Sequence, residues 1–259
     1  MQKAKPLPSS VRLAVCGPPE ALAYGLRKPD RAGDPLPALL VSYVYLKQFD
    51  NSRHRYYFRD WVMDSGAFSA HNSGRIIDLA AYTELAKDRV ANDPLLTEVY
   101  SLDVINDWRA SEKNTEYMHA HGVPAIPTYH QGEPWDLLIN MVKEYPKVGI
   151  GGMVGLGGKI KKDWIGQCFA RVWAAVGPKK LHGLGVGGEE LIMAFPFHSM
   201  DATNWEMGPT CFGRWASYGG ASLRIRGGAH NLRTEVEHFL RMEDRARQRW
   251  AKEMARIDP

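Results

Sequence analysis

The sequence predicts an α/β fold, a (β/α)8 TIM barrel with a C-terminal helix. Three observations predict it. Short β-type runs alternate with helix-patterned segments almost from end to end, which argues for parallel strands joined by helical crossovers. The number of units suits an eight-stranded barrel better than an open doubly wound sheet, and 259 residues is an ordinary length for one barrel. Polar and small residues recur at or just after the ends of the β runs, which is the face where a barrel builds its site.

The elements follow in order. Residues 11–15 read as a strand closed by Gly17-Pro18-Pro19, and 38–46 is an apolar, β-branched and aromatic run. Trp61-Val62-Met63 leads into Asp64-Ser65-Gly66. Residues 78–91 carry Leu79, Tyr82, Leu85 and Val90 close to helical spacing. Residues 99–102 form the next strand, and Ser111 caps a helix that stops at Gly122. Then come a strand over 123–129, a helix over 134–145 with proline at its start, and a strand over 147–150. Residues 163–176 form a helix ending at Gly177, 180–186 a strand, 189–195 a short helix and 197–200 the last core strand. A polar helix over about 232–256 follows. No linker, low-complexity tract or repeat divides the chain. One domain therefore spans 1–259, with a barrel core over about 11–205 and a basic loop plus C-terminal helix over about 206–259.

Composition narrows the class. Hydrophobic residues make up 44% and charged residues 24%, as in soluble globular proteins. No apolar run approaches the roughly 20 residues that span a bilayer. The first ten residues carry Lys3 and Lys5 without the apolar centre of a secretory signal. A cytoplasmic protein with no membrane partner is expected. The net charge of +4 permits a polyanionic partner without requiring one. Cys16, Cys168 and Cys211 lie far apart with no Cys-x-x-Cys pair, so buried free thiols are expected and structural zinc is not.

The chemistry-bearing residues cluster at strand ends. Asp64, Asp103, Gln131, Gly151-Gly152, Leu184-Gly185 and Asp201 each fall there, and a barrel points all those ends to one mouth. Desolvated carboxylates cost several kcal/mol unless paired, so stability alone does not call for them. Each has a plainer reading beside the functional one. Asp64 and Asp201 fit turn or cap carboxylates, Gln131 a hydrogen-bonded loop amide, and Asp107 rivals Asp103. His130, beside Gln131, is the histidine with a site role, whereas His119 and His121 read as surface. Gly183 to Gly188 matches G-x-G-x-x-G after a strand but not in a first βα unit, so it suits a barrel phosphate site better than a dinucleotide fold.

Asp64-Ser65-Gly66-Ala67-Phe68, Gln131-Gly132, Gly149-Ile150-Gly151-Gly152-Met153, Leu184-Gly185-Val186-Gly187-Gly188-Glu189-Glu190 and Met200-Asp201 occur in this order. Over about residues 60–205 the chain thereby resembles the tRNA-guanine transglycosylases. It looks most like the DpdA branch, the phage and bacterial relatives that put 7-deazaguanines into DNA. A phage-encoded protein acting in a host cytoplasm is compatible with that likeness. The tRNA enzymes are longer and carry a Cys/His zinc site after the nucleophile, where this chain has only Cys211. Those departures favour the DNA branch, without zinc subdomain, metal or cofactor.

The resemblance implies Asp201 as nucleophile and Asp64 as general acid/base. It implies that Ser65, Asp103, Gln131, Gly151, Gly152, Met153 and Gly185 surround the base edge, with Phe68 and Leu184 against its faces. Ala67 stands where the family has a second glycine. The partners would be DNA, with tRNA as the alternative, and a free 7-deazaguanine such as 7-cyano-7-deazaguanine (preQ0). Phosphate contacts are expected from Arg53, Arg55 and Arg59, interleaved with aromatics, and from Arg214, Arg224 and Arg226 in a segment free of Asp and Glu. A solvated surface is the plainer reading of both. A phosphate- or flavin-binding barrel and a non-enzymatic nucleic-acid-binding module are the rivals.

Overall fold

A computed structural model describes residues 5–206 and 230–257. Nine strands form one sheet in the order β5-β4-β3-β2-β1-β9-β8-β7-β6, and every pairing is parallel. They are β1 (Ser10–Val15), β2 (Ala38–Ser42), β3 (Asp60–Asp64), β4 (Leu96–Tyr100), β5 (Ala125–Ile126), β6 (Thr128–His130), β7 (Lys147–Gly151), β8 (Lys180–Gly183) and β9 (Ser199–Ala202). Only Pro127 separates β5 from β6, the two ends of that order. Proline has no N–H for the ladder, so it breaks the stave locally while the chain runs on. One side of the stave pairs with β4 and the other with β7, which closes eight staves into a (β/α)8 barrel.

Helices α1 (Pro19–Gly25), α2 (Leu46–Ser52), α3 (Ala67–Asn72), α4 (Leu79–Asn92), α5 (Trp108–Ala120), α6 (Trp135–Glu144), α7 (Gly158–Val176) and α8 (Glu189–Ala194) follow the strands. A long helix, α9 (His230–Ile257), comes last. Among the described residues no helix is long and apolar enough to cross a membrane.

Several sequence expectations are corrected. Ser111 does not cap α5: Asp107 does, its side chain accepting from Ala110 N at 3.1 Å. Ser111 lies in the first turn, donates to Asp107 O and accepts from Val104 N, so it ties the loop to the helix. Helix α7 starts at Gly158, ahead of the expected 163, because its exposed first turn carries lysines that hide the apolar period. The short helices α1, α2 and α3 were not legible as periodic segments. The C-terminal helix is polar on one side only: Leu232, Val236, Phe239, Met242 and Ala246 are buried in the main core. It is the helix that completes the outer ring, tied to α8 through Trp250 Nε1 donating to Ile192 O at 2.7 Å.

Inside the barrel a small apolar layer of Ala14, Leu40, Val62, Tyr100 and Ile126 is separate from the core between sheet and helices. Below it, toward the amino ends of the strands, lie ion pairs. Arg12 on β1 meets Asp60 at 2.6 Å, and Lys147 on β7 meets both oxygens of Glu98 on β4 at 2.7 Å. Above it, at the carboxyl ends, lie the aspartates.

Candidate active site at the carboxyl end of the barrel

Asp64 ends β3 and folds back on its own turn. Its Oδ2 accepts from Gly66 N at 2.9 Å, and Ser65 Oγ accepts from Ala67 N at 3.4 Å. Gly66 has φ +75°, and a Cβ there would meet Ser42 Oγ at 2.5 Å. Both the backbone and the space therefore require glycine. Gly66→Ala is expected to cost about 2–4 kcal/mol, from left-handed strain plus the clash. Gly74 also has positive φ, but with nothing within 4 Å. Gly74→Ala should cost only about 1–2 kcal/mol. Urea midpoints of the two variants check this; equal losses would mean that the Ser42 contact is irrelevant.

Asp201, 5% exposed, is the penultimate residue of β9. Its Oδ1 accepts from Gly185 N at 2.8 Å, and His182 Nε2 lies 3.4 Å from the same oxygen. Burial pushes the Asp201 carboxyl up to about 7, against the Gly185 hydrogen bond. Asp64 is also pushed up to about 7, first by burial and further by the charges of Asp201 and Asp103. The two carboxyls are a coupled pair. The Asp201 charge raises Asp64, so the two protons leave as those of a pair.

The third carboxylate is organised by a histidine. His130, ending β6, places Nε2 at 3.4 Å from Asp103 Oδ2 and Nδ1 at 3.4 Å from Glu133 Oε1. Burial lowers the His130 pKa, but its two carboxylate partners outweigh that and push it up to about 10, so the ring is an imidazolium at neutral pH. Burial in turn raises Asp103, with His130 opposing. Asp103 Oδ1 is buried with no hydrogen-bond partner among the described residues, an acceptor open to a ligand N–H. Glu133, which also accepts from His130 N at 2.7 Å, escaped the sequence reading. Its signal was the His-x-x-Glu spacing across a strand-end turn.

The remaining predicted contacts separate. Leu184 lies across Gly149 and Gly151, where Cβ atoms would come within 3.2 and 3.4 Å of its Cδ1. Phe68, on α3, is 51% exposed. Gly152 is exposed on a left-handed turn, where a Cβ would meet Gln131 N at 2.9 Å. The Gln131 residue is exposed on the rim, while Met153 is 2% exposed and packs in the main core. Ser65 is buried and spent on the turn.

The first basic stretch does not join the mouth. Arg59 precedes β3, at the opposite end from Asp64, and is taken up by Asp60 at 2.8 Å and Glu243 at 2.9 Å. Arg53 pairs with Asp93 and lies over Phe49, Phe58 and Trp61. Arg55 faces Glu20 at 3.5 Å, with both side chains exposed. Arg53 and Arg59 are thus held in partly buried pairs, whereas Arg55 pairs at the surface. Arg214, Arg224, Arg226 and Cys211 lie outside the described residues.

No protein-family model matches the chain, and no curated protein matches its sequence. Solved structures share the fold. A protein described as a fructose-1,6-biphosphate aldolase from Coccidioides immitis has a TM-score of 0.55 at 12% identity, over 93% of each chain. A mutant tryptophan synthase alpha-subunit from Pyrococcus furiosus has a TM-score of 0.51 at 13% identity, over 90% of this chain and 98% of that chain. Similarity at this identity establishes the barrel alone.

Proposed function

We propose that the barrel is an enzyme that exchanges a purine base on a nucleic acid, replacing guanine in DNA by a 7-deazaguanine through a covalent Asp201–sugar intermediate. The observation that carries the reading is the pair of aspartates at the mouth, both raised toward neutrality by burial, beside an open Asp103 oxygen. Buried carboxyls poised near the working pH suit proton transfer and covalent catalysis.

The chemistry balances without an outside reagent. An Asp201 oxygen bonds to C1′ as the C1′–N9 bond breaks, and the electron pair leaves on guanine N9. Asp64, protonated beside ionised Asp201, gives the departing base its proton. The incoming deazaguanine returns a proton from its own N9 to Asp64, and that nitrogen displaces Asp201 from C1′. Two inversions restore the original configuration. Asp103 Oδ1 would accept an N–H of the base edge, and Leu184 and Phe68 would cover its faces.

A target base must leave its stack, at a few kcal/mol. The loops and first helical turns that follow the carboxyl ends of the strands expose Phe68, Ile76, Val104, Val154 and Ile160, together with Arg75, Arg109 and Lys159. Apolar side chains interleaved with cations suit a splayed strand, and Arg214, Arg224 and Arg226 would add to them. Exchange on tRNA would use the same chemistry on another strand.

A phosphate- or flavin-binding barrel is compatible with the fold. At the Gly183–Gly188 loop, however, the Gly185 N–H already serves Asp201, and Glu189 and Glu190 open α8. Neither feature helps an anion. The test is release of labelled guanine from DNA, and separately from tRNA, in the presence of unlabelled 7-cyano-7-deazaguanine. Release from DNA is expected. Release from tRNA alone would keep the mechanism and change the substrate. No release from either would return the barrel to the phosphate reading.

A further inference from the structure

A buried polar chain runs beneath Asp201. Glu98 on β4 holds Lys147 on β7 through both carboxylate oxygens at 2.7 Å. Lys147 Nζ also donates to Ser199 Oγ on β9 at 2.7 Å, and Ser199 Oγ lies 2.7 Å from His182 Nδ1 on β8. The far side of that ring, Nε2, is 3.4 Å from Asp201 Oδ1. His182 is wholly buried, and its Nε2 has no hydrogen-bond partner among the described residues. An unsatisfied buried ring nitrogen is costly, and here Asp201 Oδ1 stands 3.4 Å from it.

Lysine has donors only, so Lys147 fills one lone pair of Ser199 Oγ and leaves the Ser199 hydrogen available to His182 Nδ1. With that hydrogen given to Nδ1, the imidazole proton is on Nε2, 3.4 Å from Asp201 Oδ1. We infer that His182 is a positioning residue for Asp201: its Nε2–H, with the Gly185 N–H, holds Oδ1 and leaves Oδ2 as the oxygen that meets the sugar. The inference rests on Asp201 being the nucleophile. Other groups facing His182 are Arg12 from β1, Glu98 and the Tyr100 ring (4.9 Å between centroids) from β4, and Lys147 from β7; His198 precedes β9. Burial, then Lys147, lowers the His182 pKa well below its usual value, so the ring stays neutral. The contact at 3.4 Å would tighten as Asp201 gains full charge.

The experiment needs no substrate. Carbon-13 carboxyl spectra of Asp-labelled protein, assigned by the signal lost in Asp201→Asn, follow the titration of Asp201. In His182→Phe its midpoint is expected to rise by about one pH unit, a tenfold change in acidity. His182→Gln, which keeps a donor at the ε position, should restore most of the shift. Ser199→Ala frees the ring to flip its tautomer and should also raise the midpoint. Nitrogen-15 spectra of the wild type give a second reading if His182→Phe does not fold. A neutral ring protonated on Nε2 supports the inference, and one protonated on Nδ1 or on both nitrogens overturns it. An unmoved Asp201 midpoint in folded His182→Phe also overturns it. In base exchange, the acidic limb of kcat should move up by the same amount with KM for the base unchanged. The titration shift in His182→Phe together with no exchange by the wild type would defeat the functional reading and leave the positioning role standing.

Discussion

Asp201→Asn is expected to abolish base exchange and to stabilise the fold above neutral pH. The amide cannot form the glycosyl ester, and loss of a covalent nucleophile typically costs at least about 10⁴-fold in kcat. Stability moves the other way. The folded carboxyl is raised from 3.8 to about 7, so the folded chain holds a proton that the unfolded chain releases. Stability therefore falls as pH rises from about 4 to about 7, and the full penalty persists above that. Asparagine escapes the penalty while its Oδ1 can still accept from Gly185 N. A gain on the order of 2–4 kcal/mol is expected at about pH 8 and little at about pH 4. Calorimetry of wild type and variant at the two pH values checks it. A variant less stable than wild type at both would mean that the carboxylate is compensated by partners, and would remove the strain expected of a reacting group.

Lys147→Ala is expected to have the largest effect on folding. Lys147 and Glu98 have side chains 4% and 9% exposed. Removing the lysine leaves a buried carboxylate uncompensated and takes a donor from Ser199. Truncating one partner of a buried pair costs about 3–5 kcal/mol. Glu98 must then take up a proton to remain inside. Its folded pKa rises above the unfolded value, so the variant gains relative stability at low pH and loses it as pH climbs through that raised value. Lys147→Met combined with Glu98→Gln removes both charges and should recover most of the loss. Denaturant curves of the single and double variants give the coupling directly. A single-variant loss under about 1 kcal/mol would show that water already compensates the pair.

How much was legible depended on sequence distance. Strand–helix alternation set the barrel, because each strand carries its own β pattern and barrels place strand ends together. The same logic put Asp64, Asp103 and Asp201 at one mouth, and all three are there. The turn after Asp64 was also local: Gly66 and the carboxylate cap it within two residues. The Arg53–Arg59 run looked like a strand-binding rim, but it precedes β3, so chain direction sends Arg59 to Asp60 and Glu243.

By itself, then, the sequence determined the barrel, the strand-end carboxylates and the glycine turn, all properties of short windows and their order. Tertiary structure alone decided the partners. Lys147 lies 49 residues from Glu98 and 52 from Ser199, and the three meet only because closure through β5 and β6 brings distant staves around one axis. The same closure brings His182 Nε2 to 3.4 Å from Asp201 Oδ1, buries Asp201 and withdraws most of Asp64 from water. That desolvation, which no window of sequence contains, lifts their pKa values toward neutrality.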